Sequence, residues 1–174
     1  MNKRIWLLRA GKLLVALASV AVLAVFLDYA IDFRPPGIHS SYRFPLKALP
    51  FDQPIWLQQD NLRVLVVRRS QPVISALQSQ TEALQDPDSS ASRQPDFARN
   101  RLRSSSDEYF VAYATGTDMG CPLISYTSDT VKEACGAATY DFAGRARSGQ
   151  NRFQNLRVPD YNFNLDFTLL TIRP

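Results

Sequence analysis

Apolar residues fall into two kinds of run along this chain. The first, Leu13 to Leu27, is broken only by Ser19. With Tyr29, Ala30 and Ile31 added, and Asp28 at its margin, it approaches the ~20 residues a spanning helix needs. A membrane-spanning helix is predicted for residues 13–31. Later runs are short, mix β-branched with aromatic residues, and stop at Pro, Asp or Asn. Tyr42–Leu49, Ile55–Gln58, Leu62–Arg69, Val73–Leu77, Tyr109–Ala114 and Thr139–Phe142 therefore read as strands, and Phe163–Ile172 as the closing strand or strands. Many short strands separated by turn signals predict an all-β head, a small antiparallel barrel or sandwich. Between Gln78 and Ser106 the pattern breaks into a polar stretch that includes Asp86-Pro87-Asp88-Ser89-Ser90 and Gln94-Pro95. A connection of that length is an insertion or a functional loop. No internal repeat is present. The expected organisation is a basic tail (residues 1–12), the spanning helix (13–31), a tether stiffened by Pro35-Pro36 (32–41) and the β head (42–174).

Charge sharpens the first part of this picture. The 174 residues carry 20 Lys plus Arg against 16 Asp plus Glu. The excess is Lys3, Arg4, Arg9 and Lys12, all ahead of the apolar run; the remainder is balanced. No basic surface for nucleic acid is indicated. Positive charge before an apolar run places the N-terminus in the cytoplasm and the head outside. A cleaved signal peptide is the competing reading of the same segment, although no A-x-A site follows it directly. The residues leave Cys121 and Cys135 as a disulfide or as two buried thiols; export favours the disulfide. A loop of that size would contribute ~3 kcal/mol.

Two segments bear on chemistry. Gly116-Thr117-Asp118-Met119-Gly120-Cys121 and Glu133-Ala134-Cys135-Gly136-Ala137-Ala138-Thr139-Tyr140-Asp141 resemble the cluster-binding boxes of Rieske iron–sulfur proteins, C-T-H-L-G-C and C-P-C-H-G-S-x-Y-D. Further fragments resemble the membrane-anchored Rieske subunit of bacterial ubiquinol–cytochrome c reductase, in the same order. They are Val64–Val73, Asp86–Ser89, Ser92–Pro95, Arg103-Ser104, Tyr140–Arg145 and Asn155–Tyr161. The resemblance implies a Rieske-like head, a degenerate tip at about residues 116–153, and Cys121–Cys135 as the family's disulfide. It also implies that the four ligand positions are Gly116, Asp118, Glu133 and Gly136. A Rieske cluster needs two thiolates on one iron and two imidazoles on the other. None of the four positions supplies either, so the 2Fe-2S cluster is expected to be absent. Ala137 and Ala138 stand at the family's Gly and hydrogen-bonding Ser. Gly149–Gln154 lacks the prolines of the family's Gly-Pro-x-Pro cover loop. The N-terminus carries no clear twin-arginine signal, and a head without a cofactor can cross the membrane unfolded.

Other chemistry at the tip is limited. Asp118 and Glu133 are candidates for a hard cation or an acid/base pair, against the plainer reading of a solvated acidic tip. No metal site and no catalytic residue is expected. His39, the only histidine, lacks the partners of a zinc site, and Ser104-Ser105-Ser106 reads as loop. Trp6, Trp56, Tyr42, Tyr109, Phe153 and Tyr161 divide between core and interface; Phe153, with Arg152, is the interface candidate.

The expected function is a non-redox structural or accessory subunit of a membrane-bound respiratory complex, not catalytic by itself. Its partners would be cytochrome b, cytochrome c or haem–copper oxidase subunits, in the bacterial inner membrane, with the head periplasmic. A membrane-anchored assembly or binding factor is the alternative, and a true quinol-oxidising Rieske subunit a more distant one.

Overall fold

The computed structural model describes residues 3–32, 41–80, 83–147 and 154–173. They fall into two units, Met1–His39 and Ser40–Pro174. The first contains α1 (Lys3–Asp32). Within it, Trp6–Asp28 is long and apolar enough to cross a membrane. At ~1.5 Å per residue that stretch exceeds a ~30 Å hydrocarbon core. Its leucines, valines and Phe26 are exposed on every face, as expected of a helix whose solvent is lipid. The one hydroxyl in its middle, Ser19, donates to the carbonyl of Val15 at 2.9 Å, so it adds no unsatisfied group.

The second unit is mostly β. Its named strands are β1 (Tyr42–Pro45), β2 (Pro54–Gln59), β3 (Leu62–Arg68), β4 (Tyr109–Tyr113), β5 (Leu123–Thr127), β6 (Thr130–Glu133), β7 (Thr139–Asp141), β8 (Asp160–Phe163) and β9 (Leu169–Arg173). They form three antiparallel three-stranded sheets, β1-β9-β8, β2-β3-β4 and β5-β6-β7. The run Val64–Val67 is buried on both faces, which is why β3 reads as a continuous apolar segment and not as an alternating one. It pairs with β2 through Trp56↔Leu65 and with β4 through Val66↔Val111.

The structure overturns one sequence expectation, resolves a second and adds an element. Val73–Leu77 is not a strand but part of helix α2 (Gln71–Ser79). Pro72 sits in its first turn, where a missing N–H costs nothing, and Ile74 and Leu77 share one buried face. Phe163–Ile172, expected as the closing strand or strands, holds the end of β8 and most of β9. Asn164 turns the chain between β8 and β9, its Oδ1 accepting the N–H groups of Thr168 and Leu169 at 2.8 Å each. The β5–β6 hairpin was not anticipated.

The long connection before β4 is ordered by side chains. Asp86 accepts from the N–H of Ser90 (2.8 Å) and Ala91 (3.1 Å) and from the Ser92 hydroxyl (2.6 Å). Burial alone would raise its pKa, but these hydrogen bonds together hold it below the ordinary value. Three buried arginines, Arg69, Arg103 and Arg145, bond to this connection or lie within it. Arg69 donates to the carbonyls of Asp107 and Leu102 at 2.9 Å and to Ser104 Oγ at 2.6 Å. Arg103 donates to the carbonyls of Gly144 (3.0 Å) and Leu156 (2.7 Å). Arg145 Nε donates to Asp141 Oδ2 at 2.7 Å. Desolvation lowers the pKa of Arg69 and of Arg103 to about 10. Gly144 completes the arrangement. Its φ is +67°, and a Cβ there would lie 2.5 Å from Phe110 Cζ.

Candidate functional site

Two loops make the tip. The first leaves β4, and the N–H of Gly116 donates to the carbonyl of Cys121 at 2.9 Å, closing a tight loop between them. Gly120, at φ +75°, takes the left-handed conformation that this turn requires. The second loop joins β6 to β7, with the N–H of Glu133 donating to Ala138 O at 3.0 Å. Ala134 N–H donates across to Pro122 O at 2.9 Å. The Cys121–Cys135 disulfide, with its Cα atoms 6.0 Å apart, fastens one loop to the other.

The four positions singled out in the sequence, Gly116, Asp118, Glu133 and Gly136, converge between these loops. Glu133 is 0% exposed. Its Oε1 accepts from the N–H of Cys121 (2.7 Å) and of Met119 (2.8 Å), and its Oε2 accepts from the N–H of Asp118 (3.1 Å). Successive backbone N–H groups pointing into one concavity form an anion-holding nest. Among the described residues, the carboxylate has no ion-pair partner and is held by amides alone. The expectation of a solvated acidic tip fails at Glu133 for this reason.

The two glycines face the two carboxylates. A Cβ on Gly116 would lie 2.7 Å from Glu133 Cγ and closer still to its carboxylate. A Cβ on Gly136 would lie 2.8 Å from Asp118 Oδ2 and 3.3 Å from Glu133 Oε2. Asp118 Oδ2 also accepts from Ala137 N–H at 3.4 Å. Tyr140 closes the inner side: its hydroxyl accepts the Thr117 N–H at 2.8 Å and shares a hydrogen bond with Thr117 Oγ1 at 2.9 Å. Burial pushes the Tyr140 hydroxyl pKa up against the opposing effect of these bonds.

The remaining candidates separate cleanly. Tyr109 and Tyr161 are buried in an aromatic cluster with Phe97, Phe163 and Phe167. Ser104 serves Arg69, and Ser105 N–H donates to Tyr161 Oη at 3.2 Å. Trp56 is half-buried and Trp6 lies exposed on α1. His39, Arg152 and Phe153 lie outside the described residues. The large exposed side chains near the described tip are Met119, Ile124 and Tyr126, the last with Lys132 Nζ 5.4 Å from its ring centre. Sequence reasoning passed over them, because in Leu123–Thr127 only Leu123 is buried and no in/out alternation marks the strand.

No family model matches the sequence. Over 118 residues, 62% of the chain, it is 31% identical to the ubiquinol–cytochrome c reductase iron–sulfur subunit of Allochromatium vinosum. The chain is homologous to that subunit. It spans 57% of that subunit's length. A chain of a solved structure titled Hyperthermophilic respiratory Complex III superposes with a TM-score of 0.49 at 12% identity, covering 90% of this chain and 96% of that one.

The donor set of this tip does not fit a Rieske-type iron–sulfur cluster. Gly116 and Gly136 have no side chain and Asp118 and Glu133 offer carboxylates, whereas such a cluster needs two thiolates and two imidazoles. Cys121 Sγ, Cys135 Sγ and a Glu133 carboxylate oxygen lie within 4.8 Å of one another. The two sulfurs are bonded to each other, however, and a cysteine ligates metal as its free thiolate.

Proposed function

We propose that this protein is a cluster-free accessory subunit of a membrane-bound respiratory electron-transport complex. In this reading, α1 holds it in a bacterial inner membrane with its basic tail cytoplasmic and its head periplasmic. The tether and residues 42–174 then present the head to neighbouring subunits of the cytochrome b, cytochrome c or haem–copper oxidase type. The protein transfers no electrons, so its role is assembly geometry and stability of the complex. Homology to an iron–sulfur subunit supports the respiratory setting. One observation carries the cluster-free reading: the four ligand positions hold no thiolate or imidazole, and the Glu133 side chain fills the space in front of Gly116.

The test is a mild-detergent purification of the tagged full-length chain from its native membranes, followed by mass spectrometry, haem spectra and low-temperature EPR. Haem-bearing partners at fixed stoichiometry, with no Rieske-type signal from this chain, support the subunit role. Recovery of the chain alone moves the function to a transient assembly factor. A Rieske-type signal from the isolated polypeptide removes the reading altogether.

A further inference from the structure

Gly116 and Gly136 are not glycines for the sake of their backbone. Neither has φ in the left-handed region, in contrast with Gly120 (+75°) and Gly144 (+67°). Their backbones therefore accept any residue, and the constraint is volume. At Gly116 the obstacle is Glu133 from Cγ to carboxylate; at Gly136 it is Asp118 Oδ2, with Glu133 behind it.

Glu133 has its own constraint. A fully buried carboxylate is costly unless its lone pairs are met. Here three backbone N–H groups meet them, from Asp118, Met119 and Cys121. Those amides are equally dependent on the carboxylate. They belong to one tight loop, so withdrawing the carboxylate removes the acceptor that all three share. The side chain and the nest are thus a ligand and its site within one molecule.

We propose that Glu133 is a tethered anion that occupies the amide nest of the tip in place of a cofactor. Gly116 is the clearance Glu133 requires, and Gly136 the clearance required by its neighbour Asp118. The four positions therefore work as one set: two give up their side chains so that the other two fill the volume. This inference rests on the cluster-free reading of the tip. It has a chemical corollary. Once Glu133 is shortened to alanine, the nest becomes a binding site for a small carboxylate. Acetate fits best, because its methyl and carboxylate replace the Cγ and carboxylate of the missing side chain.

The experiment is amide hydrogen exchange, resolved by residue, on the full-length protein in detergent. In Glu133→Ala, exchange at Asp118, Met119 and Cys121 is expected to rise by about tenfold or more, since hydrogen bonds to a carboxylate are among the stronger ones. Sodium acetate restores protection, and sodium chloride at equal ionic strength does not. Gly116→Ala raises exchange at the same amides in the otherwise unaltered protein, but adds little in the Glu133→Ala background, where the obstructing side chain is gone. Glu133→Gln supplies a readout that holds even if the alanine variant does not fold. Its single carbonyl oxygen serves Met119 and Cys121, and its NH2 group faces the Asp118 N–H, so only Asp118 loses protection. Uniform exchange across all variants, or additive effects of Gly116→Ala and Glu133→Ala, overturns the proposal. Iron analysis and EPR on the unaltered sample separate the two ways of failing. A cluster signal there defeats the cluster-free reading itself, whereas an iron-free sample with unchanged exchange defeats only the role given to Glu133.

Discussion

The arginine-braced scaffold and the tip solve the same problem with opposite signs. The scaffold buries Arg69, Arg103 and Arg145 and meets them mainly with backbone carbonyls, plus Asp141. The tip buries the Glu133 carboxylate and meets it with backbone amides. The scaffold is where the fragments that resemble the Rieske pattern sit, Tyr140–Arg145, Asn155–Tyr161 and Arg103-Ser104 among them. Each has a backbone reason to be what it is. Asp141 Oδ1 accepts from Ala143 and Arg145 N–H at 2.9 Å, Gly144 needs its positive φ, and Asn155 Oδ1 accepts Ala146 N–H at 2.9 Å. At the tip, Glu133 and Asp118 meet backbone N–H groups, and Gly116 and Gly136 leave room for those two side chains. The Glu133 carboxylate fills the space in front of Gly116. Resemblance along this chain therefore reports a shared scaffold and says nothing by itself about a shared redox centre.

The largest effect expected from attacking this contrast is on the scaffold. Asp141→Ala leaves Arg145 buried without its carboxylate and also strips two turn N–H groups of their acceptor. A loss of about 3–5 kcal/mol is expected, read by denaturant unfolding. An effect as small as a surface substitution would mean that the scaffold does not depend on its ion pair.

Next comes the fastening of the tip. Cys135→Ser removes the 14-residue link between the two loops. About 3 kcal/mol is expected from the lost constraint. The comparison sharpens if amide protection falls around residues 116–138 while β3 and β4 keep theirs. Equal loss in both regions would merge them into one cooperative unit.

A smaller effect separates the two regions by pH. The Tyr140 hydroxyl pKa lies above its ordinary value of 10, chiefly through desolvation. A group whose pKa is raised on folding contributes stability that is complete below its unfolded value and is lost as pH rises through the folded one. Stability should therefore fall as the pH climbs above 10. Tyr140→Phe should flatten that slope while costing about 1 kcal/mol at neutral pH, through its lost bonds to Thr117. A titration slope unchanged by the substitution would place the alkaline loss elsewhere, with buried Tyr161 the next group to test.

The smallest effect belongs to a residue outside both regions. Leu165, at the β8–β9 turn, is 98% exposed. Leu165→Ser should alter stability by no more than about 0.5 kcal/mol in a thermal melt. A larger loss would mean that the turn is packed against something in solution.

How far the sequence could be read follows the same division. The long apolar helix and β3 were legible because each is a long or uninterrupted apolar run. Helix α2 was misread because Val73 and Ile74 are β-branched and favour strands locally. Its helical signal is carried by only two positions, Ile74 and Leu77, packed on the core. The β5–β6 hairpin escaped notice because four of the five β5 residues are exposed, leaving little hydrophobic signal. At the tip, Gly116, Asp118, Glu133 and Gly136 were singled out by resemblance to the two family boxes, and the structure brings them together. The burial of Glu133 was not, since a lone glutamate reads as surface and the three groups that hold it are backbone amides, which carry no sequence signature.

The central claim is that this head carries no iron–sulfur cluster, and the most direct measurement is low-temperature EPR with iron quantitation on the full-length protein purified anaerobically from native membranes. The account predicts no Rieske-type signal and no iron in stoichiometric amount with this chain. A reduced-state Rieske signal with two irons per polypeptide would contradict it.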